Sequence, residues 1–374
     1  MRVLHVYRTY FPDTQGGLEE VVRQICSNSK PLGVESRVFS LSTAQDLGPI
    51  KRDEAEVFRA KLTLEVASCG MSISAFSVFS KLVKWADIVH YHFPWPFADM
   101  LHFLCKVKKP TLLTYHSDIV RQRFLNVIYT PLMRQFLGSV DKIICTSPNY
   151  FATSEILLEF EDKINIIPIG INESTYPVPE PSYMQAVQQK YDQEFFMFVG
   201  VLRYYKGLHI LLEAIQNAPF SVVIVGSGPT EAALKQQADD LGLTNVIFTG
   251  YLPDADKISL LKLCRGVVFP SYMRTEAFGV TLLEGAMYGK PLISTEVGSG
   301  TSHVNIDGQT GIVVPPGSHK ALRAALDILW HQPETAARMG RNARARYETL
   351  FNGTLMGRRY TSLYETLHPQ RAAG

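Results

Sequence analysis

Val267-Val-Phe-Pro-Ser-Tyr-Met-Arg-Thr-Glu-Ala-Phe-Gly-Val-Thr-Leu-Leu-Glu284 carries the pattern from which the architecture follows. It opens on a short unbroken apolar run, crosses a polar loop and enters what looks like the start of a helix. A strand that is apolar throughout is buried on both faces, and helices cover those faces in a parallel sheet. The same kind of strand recurs outward in both directions. Toward the N-terminus lie Val3–Val6, Arg37–Leu41, Ile88–Tyr91, Thr111–Tyr115, Lys142–Thr146 and Ile164–Ile167. Around the stretch itself lie Phe195–Gly200, Val222–Gly226, Val246–Gly250, Leu292–Thr295 and Ile312–Val314. Residues 172–191, which include Pro177-Val-Pro-Glu-Pro181, separate the two series and read as a linker. The pattern predicts two doubly wound, Rossmann-like α/β domains, 1–173 and 192–352.

A chain of 374 residues is comfortable as two domains, and 46% apolar residues allow two cores. With 19% charged residues and a formal net charge of +2, the balance excludes disorder and argues against nucleic acid as a partner. The five cysteines are scattered, odd in number and form no C-x-x-C pair. Neither a disulfide framework nor a zinc site is expected, and a reducing compartment fits. Met1-Arg-Val-Leu-His-Val runs straight into a strand without a signal-peptide pattern, and no apolar run approaches bilayer-spanning length. The expectation is a cytoplasmic protein, soluble or peripheral.

Ligands of a doubly wound sheet bind beyond the C-terminal strand ends. Two carboxylates, Glu276 and Glu284, frame Gly279 just past one such end. The amides of Phe278, Gly279 and Val280, with Thr281 behind them, offer a helix N-terminus and its positive dipole end to a phosphate. A glutamate before that helix accepts hydrogen bonds from sugar hydroxyls, and one a turn in chelates a ribose diol. Taken singly, Glu284 also reads as a solvated helix residue and Glu276 as a cap. Arg203 and Lys206 follow Phe195–Gly200 and supply cations for a diphosphate leaving group, as a metal-free site requires. Gly16-Gly17, between the first strand and a helix beginning near Leu18, permits close approach of amides to a phosphate, or is a plain strand-to-helix turn. Asp254-Ala-Asp256 spells a metal–nucleotide motif but precedes an apolar-periodic stretch, and reads as a helix N-cap. No His/Cys/Asp grouping has metal spacing, and neither metal nor other cofactor is expected.

Glu276 to Glu284 resembles the E-x₇-E motif of the large retaining glycosyltransferase family four. Asp307-Gly-Gln-Thr-Gly311, Phe248-Thr-Gly-Tyr251 and Gly226-Ser-Gly-Pro229 are similar to further segments of that family. Tyr10-Phe-Pro-Asp-Thr-Gln-Gly-Gly-Leu-Glu19 resembles the subgroup that builds polymannose-type O-antigens from GDP-mannose. The resemblance implies the GT-B fold, with two domains facing across a cleft that holds the active site. It also implies a C-terminal helix, 353–367, returning to the first domain on an apolar face of Met356, Tyr360, Leu363 and Leu367. Gly226 joins Gly16, Gly17 and Glu284 as a donor-binding residue. Lys206 matches the family lysine, while the family arginine is replaced by Val201, for which Arg203 is the natural substitute. His116, in Thr114-Tyr-His-Ser-Asp118, would sit beside the donor sugar and reach its 6-hydroxyl. Asp118 would hold the His116 tautomer or cap the next helix.

The implied reaction is retaining transfer of mannose from GDP-mannose to a lipid-linked saccharide at the inner face of the plasma membrane. Trp95 and Phe97 stack on the acceptor or cap the core. A basic stretch, Lys106 to Arg134, with Arg121 and Arg123 beside Phe124, Leu125 and Ile128, suits an anionic lipid surface or an ordinary helix face; Pro131 should kink or restart this helix. Two other functions fit the same architecture: a nucleotide-sugar epimerase, and a non-catalytic nucleotide-sugar-binding subunit.

Overall fold

A computed structural model describes residues 1–66, 69–119, 123–191 and 194–368. The chain divides into two units. One comprises Met1–Gly170 with the C-terminal helix Gly353–Leu367, and the other Ile171–Asn352.

The strands of the first unit are β1 (Arg2–Val6), β2 (Glu35–Ser42), β3 (Ile50–Lys51), β4 (Glu56–Lys61), a hairpin of β5 (Leu64–Val66) and β6 (Cys69–Met71), then β7 (Ile88–Phe93), β8 (Thr111–Tyr115), β9 (Lys142–Cys145) and β10 (Ile164–Ile166). Apart from the hairpin they form one sheet in the order β10-β9-β8-β7-β1-β2-β4-β3, parallel except for the β3–β4 edge. Strand β4 is absent from the sequence reading because Glu56, Arg59 and Lys61 break its apolar run. Arg59 is nevertheless buried, and it reaches Asp13 at 3.1 Å and the Asp46 carbonyl at 2.8 Å.

Helix Gly17–Ser29 buries Val21, Val22, Ile25 and Cys26 and packs against the C-terminal helix. The two approach so closely that a side chain at Gly357 would meet the Asn28 carbonyl at 2.5 Å. The buried face of the C-terminal helix is Met356, Gly357, Tyr360 and Tyr364, whereas Leu363 and Leu367 are only half-buried. The expected face is therefore rotated. Tyrosine counts as only partly apolar, yet Tyr360 and Tyr364 are buried because their hydroxyls find partners in Thr114 at 3.0 Å and His90 at 2.8 Å.

The second unit holds β11 (Phe195–Val199), β12 (Ser221–Val225), β13 (Val246–Gly250), β14 (Gly266–Phe269), β15 (Leu292–Thr295) and β16 (Gly311–Val314). All are parallel, in the order β13-β12-β11-β14-β15-β16. This is the dinucleotide-binding order 3-2-1-4-5-6, whose crevice opens where the winding reverses, here between β11 and β14. Residues 172–191 are not a bare linker. Pro181 starts a ten-residue helix, Pro181–Lys190, which packs on helix Asp254–Leu263, and the Tyr183 hydroxyl donates to Asp256. Proline is well suited to the first helical position, and Met184, Gln185, Ala186, Gln188, Gln189 and Lys190 after it are good helix formers.

Candidate active site

The site in the second unit is built at its switch point. Past β11 the chain makes a short 3₁₀ turn, Tyr204–Lys206, and then Gly207 at φ 71°. A side chain at Gly207 would lie 2.0 Å from the Pro270 carbonyl, so only glycine lets this loop touch the one leaving β14. The Tyr272 amide donates to the Tyr205 carbonyl at 3.0 Å and fastens the two together. This contact sets Lys206 against Glu276. The ammonium donates to Glu276 Oε2, which also accepts from Ser271 at 3.1 Å. Both charged side chains are largely shielded, at 12% and 11% exposure. Lys206 also lies over the Phe269 ring.

Glu276 is not a cap. Helix Val280–Met287 takes Gly279 as its N-cap, in the left-handed region at φ 91°. The amides of Phe278, Gly279 and Val280 have no acceptor among the described residues, as the free end of a helix requires. Thr281 donates its hydroxyl to the Val199 carbonyl at 3.0 Å and ties the helix to β11. Glu284, in the second turn, is buried rather than solvated. Its carboxylate pairs with Lys257 at 2.9 Å, and Lys257 also holds Asp254 at 3.0 Å. Burial pulls the Lys257 ammonium down, but the charges of Glu284 and Asp254 outweigh it and the group stands above its ordinary value.

Other expected residues lie elsewhere. Arg203 is exposed and lines a depression with Tyr204, His209, Thr230, Gln237 and Tyr272, a lining that includes neither Lys206 nor Glu276. The Gly226 amide is taken by the Gly250 carbonyl at 2.8 Å, and a side chain there would strike the Gly200 carbonyl, so this glycine lets two loops cross. The Asp254–Asp256 helix has Pro253 as its N-cap, with both aspartates in the first turn. Asp254 faces Lys257 and Asp256 takes the Tyr183 hydroxyl.

In the first unit, Gly16 is the N-cap of helix Gly17–Ser29, which starts one residue before Leu18. Glu19 folds back over it: a side chain at Gly16 would meet Glu19 Oε2 at 2.7 Å. Thr9 and Thr14 donate to Glu19 Oε1 at 2.8 and 2.9 Å. The chain thus supplies its own anion at this helix end, where Gly16 and Gly17 were expected to receive a phosphate. His116 stands just past β8 and is 7% exposed, with its Nε2 on His92 Nδ1 at 3.0 Å. Asp118 accepts instead from Tyr115 and Ser154, each at 2.9 Å. Trp95 and Phe97 belong to the core, at 1% and 3% exposure, and Trp95 Nε1 donates to the Gly70 carbonyl.

Helix Arg123–Ser139 runs on through Pro131. Arg121 and the side chains of Arg123, Phe124 and Leu125 lie outside the described residues. Arg134 is neutralised by Glu159 at 2.7 Å.

Sequence reasoning missed Lys257, Ser271, Glu19 and three histidines, His5, His90 and His92. The last three place ring nitrogens within 4.8 Å of one another, a grouping that no spacing along the chain announces. The available signal was polar residues inside doubly buried strands, where each needs a partner.

Residues 180–346 match the family described as glycosyl transferases group 1, and residues 15–175 match glycosyltransferase family 4. The chain is 51% identical to the D-rhamnosyltransferase WbpZ of Pseudomonas aeruginosa, over 94% of this chain and 92% of that protein. It is 46% identical to O-antigen chain mannosyltransferase C of Escherichia coli, over 98% and 99%. Sucrose-phosphate synthase from Thermosynechococcus elongatus superposes with a TM-score of 0.80 at 21% identity, covering 98% of this chain and 99% of that one, a likeness of fold. The two parallel-sheet units are the GT-B architecture.

Proposed function

The chain belongs to the family 4 glycosyltransferases, and on that premise we propose that it transfers a manno-configured sugar, with retention, from a GDP-linked donor to a lipid-linked saccharide in O-antigen synthesis. The observation that carries the reading is the Lys206–Glu276 pair at the β11–β14 switch point, with Glu284 held by Lys257 one helix turn further on. A diphosphate brings more negative charge than a carboxylate. Lys206 turns to it and releases Glu276 to accept hydrogen bonds from the sugar hydroxyls. The amides of Phe278, Gly279 and Val280 meet the same diphosphate. Glu284, aimed by its lysine, takes the ribose diol.

The bond between the anomeric carbon and the diphosphate oxygen then breaks while the acceptor oxygen bonds on the same face. The acceptor proton passes to the leaving phosphate oxygen, and no protein nucleophile is needed. Mannose and D-rhamnose differ only at the 6-hydroxyl, so the two relatives named for them support a common manno-type site. The 46% relative named as an O-antigen chain mannosyltransferase supports the polysaccharide context.

A donor panel with and without EDTA tests this. GDP-mannose or GDP-D-rhamnose should raise the melting temperature and be turned over with retention, and EDTA should leave the rate intact, because Lys206 and the helix end supply the positive charge. Transfer from UDP-sugars alone would overturn the donor assignment. Loss of activity in EDTA would overturn the metal-free one. Product formed without any acceptor would favour the epimerase.

A further inference from the structure

The first unit buries a row of histidines that sugar transfer by itself does not explain. His5 on β1, His90 and His92 on β7 and His116 beyond β8 share one face of the sheet, because parallel register sets His5 beside His90 and His92 beside Thr114. None is more than 7% exposed. Three are linked in series: His5 Nδ1 lies 3.1 Å from His92 Nε2, and His92 Nδ1 lies 3.0 Å from His116 Nε2. His90 is engaged separately, with Tyr364 on Nδ1 at 2.8 Å and Thr114 on Nε2 at 2.7 Å. A metal is not what gathers His5, His90 and His92. Both nitrogens of His90, both of His92 and Nδ1 of His5 already have hydrogen-bond partners.

Burial keeps these rings neutral. His5 and His116 are each pushed down to about 3, and His90 and His92 are driven well below the ordinary range, above all by desolvation. A neutral imidazole has one N–H, so every link needs one donor and one acceptor. The series then has two self-consistent proton arrangements. If the N–H bonds run inward, His116 donates from Nε2, His92 donates from Nε2, and His5 is left with an N–H on its own Nε2. If they run outward, His5 donates from Nδ1, His92 donates from Nδ1, and His116 must carry its proton on Nδ1.

The inner end decides between them. His5 Nε2 is buried with no hydrogen-bond partner among the described residues. The inward arrangement strands an N–H there, whereas the outward one leaves only a lone pair. Orphaned buried N–H groups are the rarer defect in folded proteins. We propose that His5 and His92 are positioning residues that lock His116 as the Nδ1–H tautomer, so that it presents a proton donor, and no lone pair, to its ligand. The fitting ligand atom is an acceptor oxygen of the sugar, and His116 is unable to act there as a general base. This consequence rests on the reading of His116 as a sugar-contacting residue, but the tautomer is a property of the free protein.

Nitrogen-15 NMR of histidine-labelled full-length protein at pH 7 reads the tautomer directly, with His116 assigned by difference from His116→Gln. The expected spectrum shows His116 protonated on Nδ1 and bare on Nε2. His5→Asn, whose amide nitrogen stands near the Nδ1 position, should keep that pattern. His5→Phe should give mixed tautomers and lower kcat about tenfold with donor KM little changed, His5→Asn restoring the rate. Wild-type His116 protonated on Nε2 overturns the proposal whether or not any variant folds. So does a folded His5→Phe with the tautomer intact. A tautomer that shifts while transfer does not would confirm the lock and remove His116 from the sugar site, which separates the two readings.

Discussion

Lys206 and Arg203 look alike in sequence, three residues apart on one loop, and differ completely in place. Lys206 is shielded and aimed at the carboxylate beside the free helix end, whereas Arg203 is exposed. Lys206→Ala should therefore lower kcat by on the order of 10²–10³-fold, the scale of losing one preorganised charge donor, while Arg203→Ala should change it by less than about threefold. Equal losses in a transfer assay would return Arg203 to the diphosphate. The glutamates divide in the same way. Glu284→Ala should weaken free GDP and GDP-sugar alike by roughly ten- to hundredfold. Glu276→Ala should leave GDP affinity undiminished, because it removes a competitor for Lys206, while turnover falls steeply. Calorimetry with GDP beside the transfer assay distinguishes them, and a matching loss of GDP affinity in both variants would dissolve the division of roles.

Among the elements, helices Pro96–Leu104 and Arg123–Ser139 pack together and leave large apolar side chains in solvent: Leu104 at 61%, Val127 at 74% and Ile128 at 79%. Lys106 and Lys108 follow the first helix and are exposed. No helix among the described residues is long and apolar enough to cross a membrane. The protein should sediment with anionic vesicles at low salt and be released at high salt. Val127→Ser with Ile128→Ser should abolish sedimentation, whereas Arg134→Gln should matter little, because Glu159 already neutralises that charge. Unchanged binding by the double variant would clear this surface of the role.

For the whole molecule, acid is the discriminating stress. In the first unit His5, His90, His92, His102 and His116 are all depressed by burial, and in the second only His303 is, among the described residues. A depressed histidine is neutral when folded and binds its proton on unfolding. Its stabilisation is complete above about pH 6.5 and drains away as pH falls toward its folded value. For His5 and His116, at about 3, the loss between pH 7 and 5 is on the order of 2 kcal/mol each. The first unit should unfold at lower urea at pH 5 than at pH 7, with the second unit less affected. Fluorescence of Trp85 and Trp95 in a Trp330→Phe background follows the first unit alone. A urea midpoint for that unit independent of pH would show that the cluster is not neutral.

Local chemistry was enough to specify the strand–loop–helix units and the α/β class, because an unbroken apolar run such as Val267–Phe269 is stable only between covering layers. It also brought Glu276, Glu284 and Lys206 into view, since each lies on the loop or helix that directly follows a strand. Partnership was beyond its reach. Lys257 and Glu284 are 27 residues apart, Lys206 and Glu276 are 70, and His5 and His92 are 87. Only the winding of the sheets brings such pairs within hydrogen-bond reach, and burial then makes each pairing obligatory. The tertiary structure likewise turned a tyrosine face of the C-terminal helix inward and laid the Glu19 carboxylate over Gly16, because what a polar group faces once water has gone is set by its neighbours in space.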